Sequence, residues 1–345
     1  MTDWTPKENF MAVLRGEIPQ SVPRYNMGMK TMNGRETTRG VGPSILRKMD
    51  SHMSPKGGKD IWGVSYVANE ETGFASIPEP NNFILDDITK WRDVVKAPEI
   101  DLDIDWEAMA KKDMEDAEID RNVTAVYSSA MLMPFQQLVA FMGFSEGLCA
   151  LYEEPEEVKA LLNYMTDFYV PIIEKTIEYY KPDCYYMLDD TASRYSTFFS
   201  KEIYQDIFRP IYDRLAAPAN ERGLPIGFHN CGRCETFLDE MVGFGVKWWD
   251  PAQHDNDLLG IKEKYGRDLV ITGGWEVQLM PSWPDVSDDE VRQTVYDTVD
   301  KLAPGGGYMF IGGILVRPGD ERAAHLHKLV QETASEYCDH YYEKH

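Results

Sequence analysis

Residues 184–190 read CYYMLDD, 225–231 PIGFHNC, 246–250 VKWWD and 269–276 LVITGGWE. Each opens on a short apolar, aromatic or β-branched run and closes on Asp, His, Cys or Gly, the pattern of a strand buried on both faces. Val123–Ser128 and Tyr308–Ile311 repeat it on either side. Amphipathic stretches lie between these runs. Glu156 to Tyr180 spaces Val158, Leu161, Leu162, Met165, Phe168, Tyr169, Ile172 and Ile173 helically, with Pro155 in the first turn and Pro171 as a kink point. Ser287-Asp-Asp-Glu290 opens another helix as a capping box. Strand-then-helix units in succession specify a parallel sheet covered by helices. Further strands at Val22–Tyr25 and Gly63–Tyr66 raise the count to about eight, a closed (β/α)8 TIM barrel. No G-x-G-x-x-G follows an early strand and no Walker A loop occurs, which disfavours an open doubly wound sheet. The expected organisation is one barrel domain over residues 1–345, with 1–120 as an N-terminal extension and the first barrel elements.

Composition narrows the function. The 345 residues carry 35 Lys plus Arg against 58 Asp plus Glu, a formal charge of -23. Such a chain repels phosphate backbones and anionic lipid, so nucleic acid and membrane are poor partners. The acidic stretch Glu99 to Asp120 reads as a solvated loop and helix face. The opening MTDWTPKENF lacks the blocks of a signal peptide. Five scattered cysteines do not make a disulfide framework. A soluble, reduced, cytoplasmic protein is expected, and large hydrophobic faces leave a homodimer open.

In a barrel the active site lies at the C-terminal ends of the strands. Those ends hold Ser128-Ser129, Asp189-Asp190, His229-Asn-Cys231-Gly-Arg-Cys234, Asp250, Gly273-Gly274-Trp275-Glu276 and Gly312-Gly313. His229, Cys231 and Cys234 suit Zn²⁺, which takes imidazole and thiolate. His229 and Cys231, two apart on a strand, face the same side. Cys234 lies past Gly232, where it either folds back as a third ligand or packs beneath the next helix. Asp189 and Asp190 point opposite ways, so at most one serves the site; acid/base chemistry, metal support and a helix or loop cap are the alternatives. Glu276 is a further catalytic candidate. Tyr25, Met27, Tyr127, Tyr186 and Trp275 are candidate substrate contacts, with Met29, Met32, Met131, Met133, Trp62, Tyr66 and Phe135 also able to line an apolar pocket. Gly305-Gly306-Gly307 reads as a tight turn. His254, His325, His327, His340 and His345 read as surface histidines.

These motifs carry a resemblance. "ENFMAVLRGEIPQSVPRY", "DIWGVSYV", "ILDDITKW", "LDDTASRYSTFFSKEIYQDIFRPIYDRL", "GFHNCGRCETFLDEMVGFGVKWWDP" and "ITGGWE" together resemble the uroporphyrinogen decarboxylase superfamily, from about Glu8 to the last helix. The resemblance implies a (β/α)8 barrel. Tetrapyrrole decarboxylases carry an N-terminal arginine-rich segment, where this chain has only Arg24 and Arg35. The corrinoid-linked methyltransferase branch looks closer: it implies zinc held by His229 and Cys231, and a partner corrinoid (cobalamin) protein that receives the methyl group. That branch draws its third ligand from a Cys near the last strand, where this chain has Gly312-Gly313. Cys234, Glu276 or an Asp189/Asp190 carboxylate must replace it, or the metal is absent. The resulting expectation is a zinc-dependent methyltransferase acting on a small methylated substrate, an aryl methyl ether undergoing O-demethylation. Its alternatives are a tetrapyrrole decarboxylase and a non-catalytic barrel that binds a small ligand.

Overall fold

The computed structural model describes residues 3–28, 36–129, 132–280, 283, 285–339 and 341–344. Met29, Met32, Met131, Arg35, His340 and His345 lie outside them. Among the described residues, seven strands form one parallel sheet: β1 (Thr38–Gly40), β5 (Ala125–Ser128), β6 (Cys184–Leu188), β7 (Ile226–His229), β8 (Val246–Ala252), β9 (Val270–Gly273) and β10 (Tyr308–Met309), in that order. The sheet curls, and residues 23–26 bridge its two edges. Residues 23–25 run parallel to β10, with the Tyr25 N–H donating to the Phe310 carbonyl at 2.8 Å and the Phe310 N–H to the Pro23 carbonyl at 2.9 Å. On the other side the Asn26 side-chain amide takes the place of a strand neighbour. It accepts from the Thr38 N–H and donates to the Thr38 carbonyl, both at 3.0 Å. The fold is a TIM-barrel-like α/β architecture, as the strand runs predict.

One barrel strand differs from expectation. Gly63–Tyr66 does not join the barrel. Ser65–Val67 is β3 of a small antiparallel sheet with β2 (Gly57–Lys59) and β4 (Ile77–Pro78). The barrel position belongs to β1, Thr38-Arg39-Gly40, which has no apolar run to announce it. Its last residue must be small, because a Cβ on Gly40 would sit 2.9 Å from the Tyr127 ring.

Period-two alternation divides each strand between two apolar layers. Cys184, Tyr186, Trp248, Val270 and Met309 face inward and pack with Phe10, Val13 and Leu14 of the helix Pro6–Leu14. Tyr185, Met187, Ile226, Phe228, Trp249, Ile271 and Tyr308 face outward under the helices. The helix Pro155–Tyr180 supplies much of that cover. Val158, Leu161, Leu162, Met165, Tyr169, Ile172 and Ile173 are buried along one stripe, and Pro171 lies inside a continuous helix. Ser287 caps Asp288–Leu302, its side chain accepting from the Glu290 N–H. The acidic stretch contains the helix Trp106–Asp116, capped by Asp105 and burying Trp106, Ala110 and Asp113. Gly305, Gly306 and Gly307 all have positive φ, as a tight turn before β10 requires. No described helix is long and apolar enough to cross a membrane.

Candidate metal centre

Alternation also sorts the polar strand ends. Leu188 faces inward, so Asp189 faces out and Asp190 faces the mouth. The Asp189 carboxylate is fully buried, and it accepts from the N–H groups of Phe135 (2.7 Å) and Gln136 (3.0 Å) and from the Tyr212 hydroxyl (2.6 Å). It therefore caps the helix Pro134–Met142, whose own N-cap residue makes no side-chain cap bond. Burial pushes its carboxyl up to about 7 against the pull of those donors. Asp189 is thus a cap, but for the helix that follows the preceding strand rather than for Thr191 to Ser196, the segment expected from the sequence.

Asp190 is partly exposed and its Oδ1 accepts from the Cys231 N–H at 2.7 Å. His229, the last residue of β7, faces inward between Asp190 and Asp250 of β8. Its Nδ1 lies 2.8 Å from Asp250 Oδ1; its Nε2 lies 3.3 Å from Cys231 Sγ and 3.8 Å from Asp190 Oδ1. Ligand atoms of Asp190, His229 and Cys231 all fall within 4.8 Å of one another. Zinc bonds of about 2.0–2.3 Å place neighbouring ligands of a tetrahedron about 3.3–3.8 Å apart, so the two distances from Nε2 fit a shared ion. One nitrogen, one thiol and one carboxylate form a donor set that zinc accepts. Burial disfavours the His229 imidazolium, but its bonds to Asp250 and Cys231 and the Asp250 charge outweigh this and raise its pKa well above the ordinary value. Burial likewise raises the Cys231 thiol, against the pull of His229.

Cys234 does not join this group. Gly232 (φ +87°) turns the chain where a Cβ would stand 2.5 Å from the Ala192 carbonyl oxygen, and the Arg233 N–H donates to Ser193. The turn carries Cys234 into the outer core, fully buried, with Sγ 3.5 Å from the Asn230 carbonyl. The third group gathered with His229 and Cys231 is Asp190 instead. Gly312 is likewise drawn aside, its carbonyl accepting from Gln331, while His327 bonds at Ile314; His327 is a pinning residue and only half-buried.

Of the expected substrate contacts, Tyr25, Met27, Tyr127 and Tyr186 share the barrel interior. Tyr25 and Tyr186 are buried, whereas Met27 and Tyr127 are half-buried, as are the inward-facing Leu188 and Ile311. The last four give the mouth an apolar wall beside the polar trio. Trp275 does not belong there. After Gly273 (φ +140°) and Gly274 (φ +82°) the chain has left the strand, and the Trp275 indole packs in the outer core and donates to Thr294 at 3.0 Å. Trp62 and Phe135 are outer core as well. Glu276 accepts from the His254 N–H at 3.2 Å, and its other oxygen lies 3.2 Å from His254 Nδ1. His254 is thus a paired residue at a strand end, not a surface histidine. Asp250 was visible in sequence only as a strand-end acid; its parity with His229 on the adjacent strand is the signal that would have placed it.

The family model described as uroporphyrinogen decarboxylase matches residues 69–332, well over half of the chain. No curated protein matches in sequence. Among solved structures, a methyltransferase from Methanosarcina mazei is similar at 13% identity, with 97% of this chain and 99% of that chain covered and a TM-score of 0.59. A sugar phosphate isomerase/epimerase from Parabacteroides distasonis aligns at 12% identity over 67% of this chain and 76% of that chain, with a TM-score of 0.31, too loose a likeness to argue from.

Proposed function

The chain belongs to the uroporphyrinogen decarboxylase family, and on that footing we propose that it is a zinc-dependent methyltransferase moving a methyl group from a small methylated substrate to a corrinoid carried by a partner protein. The observation that carries this reading is the convergence of Asp190, His229 and Cys231 at the barrel mouth. The whole-chain likeness in fold to the M. mazei methyltransferase supports it. Zinc at this position would act as a Lewis acid toward an ether oxygen or a thiol acceptor.

The chain's own residues define the rest. Met27, Tyr127, Leu188 and Ile311 offer an apolar wall to an aryl ring, which favours an aryl methyl ether as donor. Asp189, turned outward and held by three donors, is removed from the acid/base role. We assign proton transfer to the departing oxygen to Glu276, whose carboxylate accepts from the His254 backbone N–H past the ends of neighbouring strands. Tetrapyrrole decarboxylation fits less well. Arg24, in the segment where such enzymes bind substrate carboxylates, turns toward Asp339 at 3.7 Å, at the C-terminal end of the helix Glu321–Cys338.

The test is a methyl-transfer assay in which zinc-loaded protein, reduced free cobalamin and a panel of aryl methyl ethers are incubated anaerobically. Formation of methylcobalamin, read from its visible spectrum and abolished by His229→Ala, is the expected result. Full transfer by His229→Ala would refute the metal mechanism.

A further inference from the structure

The imidazole of His229 has two neighbours that nothing in the metal reading accounts for. Asp250, fully buried, faces inward on β8 directly beside His229 in the ladder. Its Oδ1 lies 2.8 Å from His229 Nδ1. Tyr186, on β6 at the other side, sends its hydroxyl past β7 to both Asp250 oxygens, at 2.7 and 2.8 Å. That reach depends on Gly227, the inward-facing residue of β7 one layer below His229. A Cβ there would fall 2.1 Å from the Trp248 indole, and its absence lets the Tyr186 and Trp248 rings stack at 5.8 Å across the strand between them. Tyr127 packs on Tyr186 from the other side at 4.9 Å. The hydroxyl is therefore held by rings, and the carboxylate by the hydroxyl.

A neutral imidazole carries one proton on one of two nitrogens, and the partner of each nitrogen decides which. A buried carboxylate 2.8 Å from Nδ1 demands a donor there. Nε2 is then left as the lone pair, on the side where Asp190 and Cys231 stand. From this geometry we infer that Asp250, braced by Tyr186, is the positioning residue that fixes His229 as an Nδ1–H donor and turns Nε2 toward the metal position. The inference rests on the metal reading above for its purpose, but its structural content concerns the imidazole alone. Asp250 stands at Nδ1, outside the Asp190, His229 and Cys231 group, and would act through His229, as carboxylates do behind ligating histidines.

Two readouts test it. Ring ¹⁵N NMR of the metal-free protein, at a pH where His229 is neutral, should show the proton on Nδ1 in the wild type and on Nε2 in Asp250→Leu. Zinc affinity by chelator competition should fall about tenfold to a hundredfold in Asp250→Leu, with smaller losses in Asp250→Asn, which keeps an acceptor, and in Tyr186→Phe, which keeps the ring. An Nδ1–H tautomer and wild-type affinity retained in folded Asp250→Leu would overturn the inference. If that variant fails to fold, unchanged zinc affinity in both Asp250→Asn and Tyr186→Phe would overturn it instead. A wild-type protein that binds no zinc defeats the metal reading, while the tautomer measurement still decides the role of Asp250.

Discussion

Asp189→Ala and Asp190→Ala, one residue apart, are predicted to fail in different ways. Removing the Asp189 carboxylate leaves the N–H groups of Phe135 and Gln136 and the Tyr212 hydroxyl buried without their acceptor. Each orphaned donor costs about 1–3 kcal/mol, and partial relaxation of the helix start reduces the sum to about 3–5 kcal/mol. That is a large share of the roughly 5–15 kcal/mol by which folded proteins are stable. Asp190 is partly exposed and loses one bond, from the Cys231 N–H, worth about 0.5–1.5 kcal/mol. Yet it removes a proposed ligand, so zinc affinity should fall sharply. Urea denaturation at pH 5.5 and chelator competition on the same preparations read the two effects separately. The reasoning is refuted if Asp190→Ala unfolds as readily as Asp189→Ala, or if Asp190→Ala holds zinc as tightly as the wild type.

The Asp189 carboxyl titrates near 7 in the fold and near about 3.9 when unfolded, so between these values the folded state keeps a proton that the unfolded state releases. Its contribution is fully present below pH 4 and lost as pH rises to 7, by at most about 4 kcal/mol; Asp189→Asn should flatten that part of the stability–pH curve. Gly227→Ala forces a methyl into the Trp248 indole and should lower stability by about 1–3 kcal/mol, visible as a drop in Tm and a change in tryptophan fluorescence. Cys234→Ala should leave zinc affinity intact while Cys231→Ala abolishes it, because Cys234 Sγ faces the Asn230 carbonyl in the core. His229 and Cys231, both with raised pKa values, must each lose a proton to bind an ion. Calorimetry in buffers of different ionisation enthalpy at pH 7 should therefore show release of about two protons per zinc, and weaker binding as pH falls.

How much of this was legible in the sequence follows from where periodicity holds. Strand Cys184–Leu188 is found at its expected bounds because its buried alternation of aromatic and aliphatic residues has no competing helical reading. The β1 strand was not, since Thr38-Arg39-Gly40 is held by partners distant in sequence: the Asn26 amide and the Tyr127 ring that excludes a Cβ. Inside strands, parity alone pairs His229 with Cys231 and separates Asp189 from Asp190. It cannot say which aspartate faces inward until Tyr186 and Leu188 are known to fill the barrel. Beyond the strand ends parity lapses. Cys234 and Trp275 both follow glycines with positive φ that redirect the chain; the structure buries Trp275, a candidate substrate contact, in the outer core, and of the two places open to Cys234 it takes packing in that core over ligation. Histidines 254 and 327 read as surface because their partners, Glu276 and Ile314, come from other elements.

The most direct measurement is the X-ray absorption spectrum of the zinc-loaded protein at the zinc edge. Ligation by Asp190, His229 and Cys231 predicts a single sulfur at about 2.3 Å with the remaining nitrogen and oxygen ligands at about 2.0–2.2 Å. The sulfur should vanish in Cys231→Ser and persist in Cys234→Ser. Two sulfurs in the wild type, or none, would contradict the centre described here.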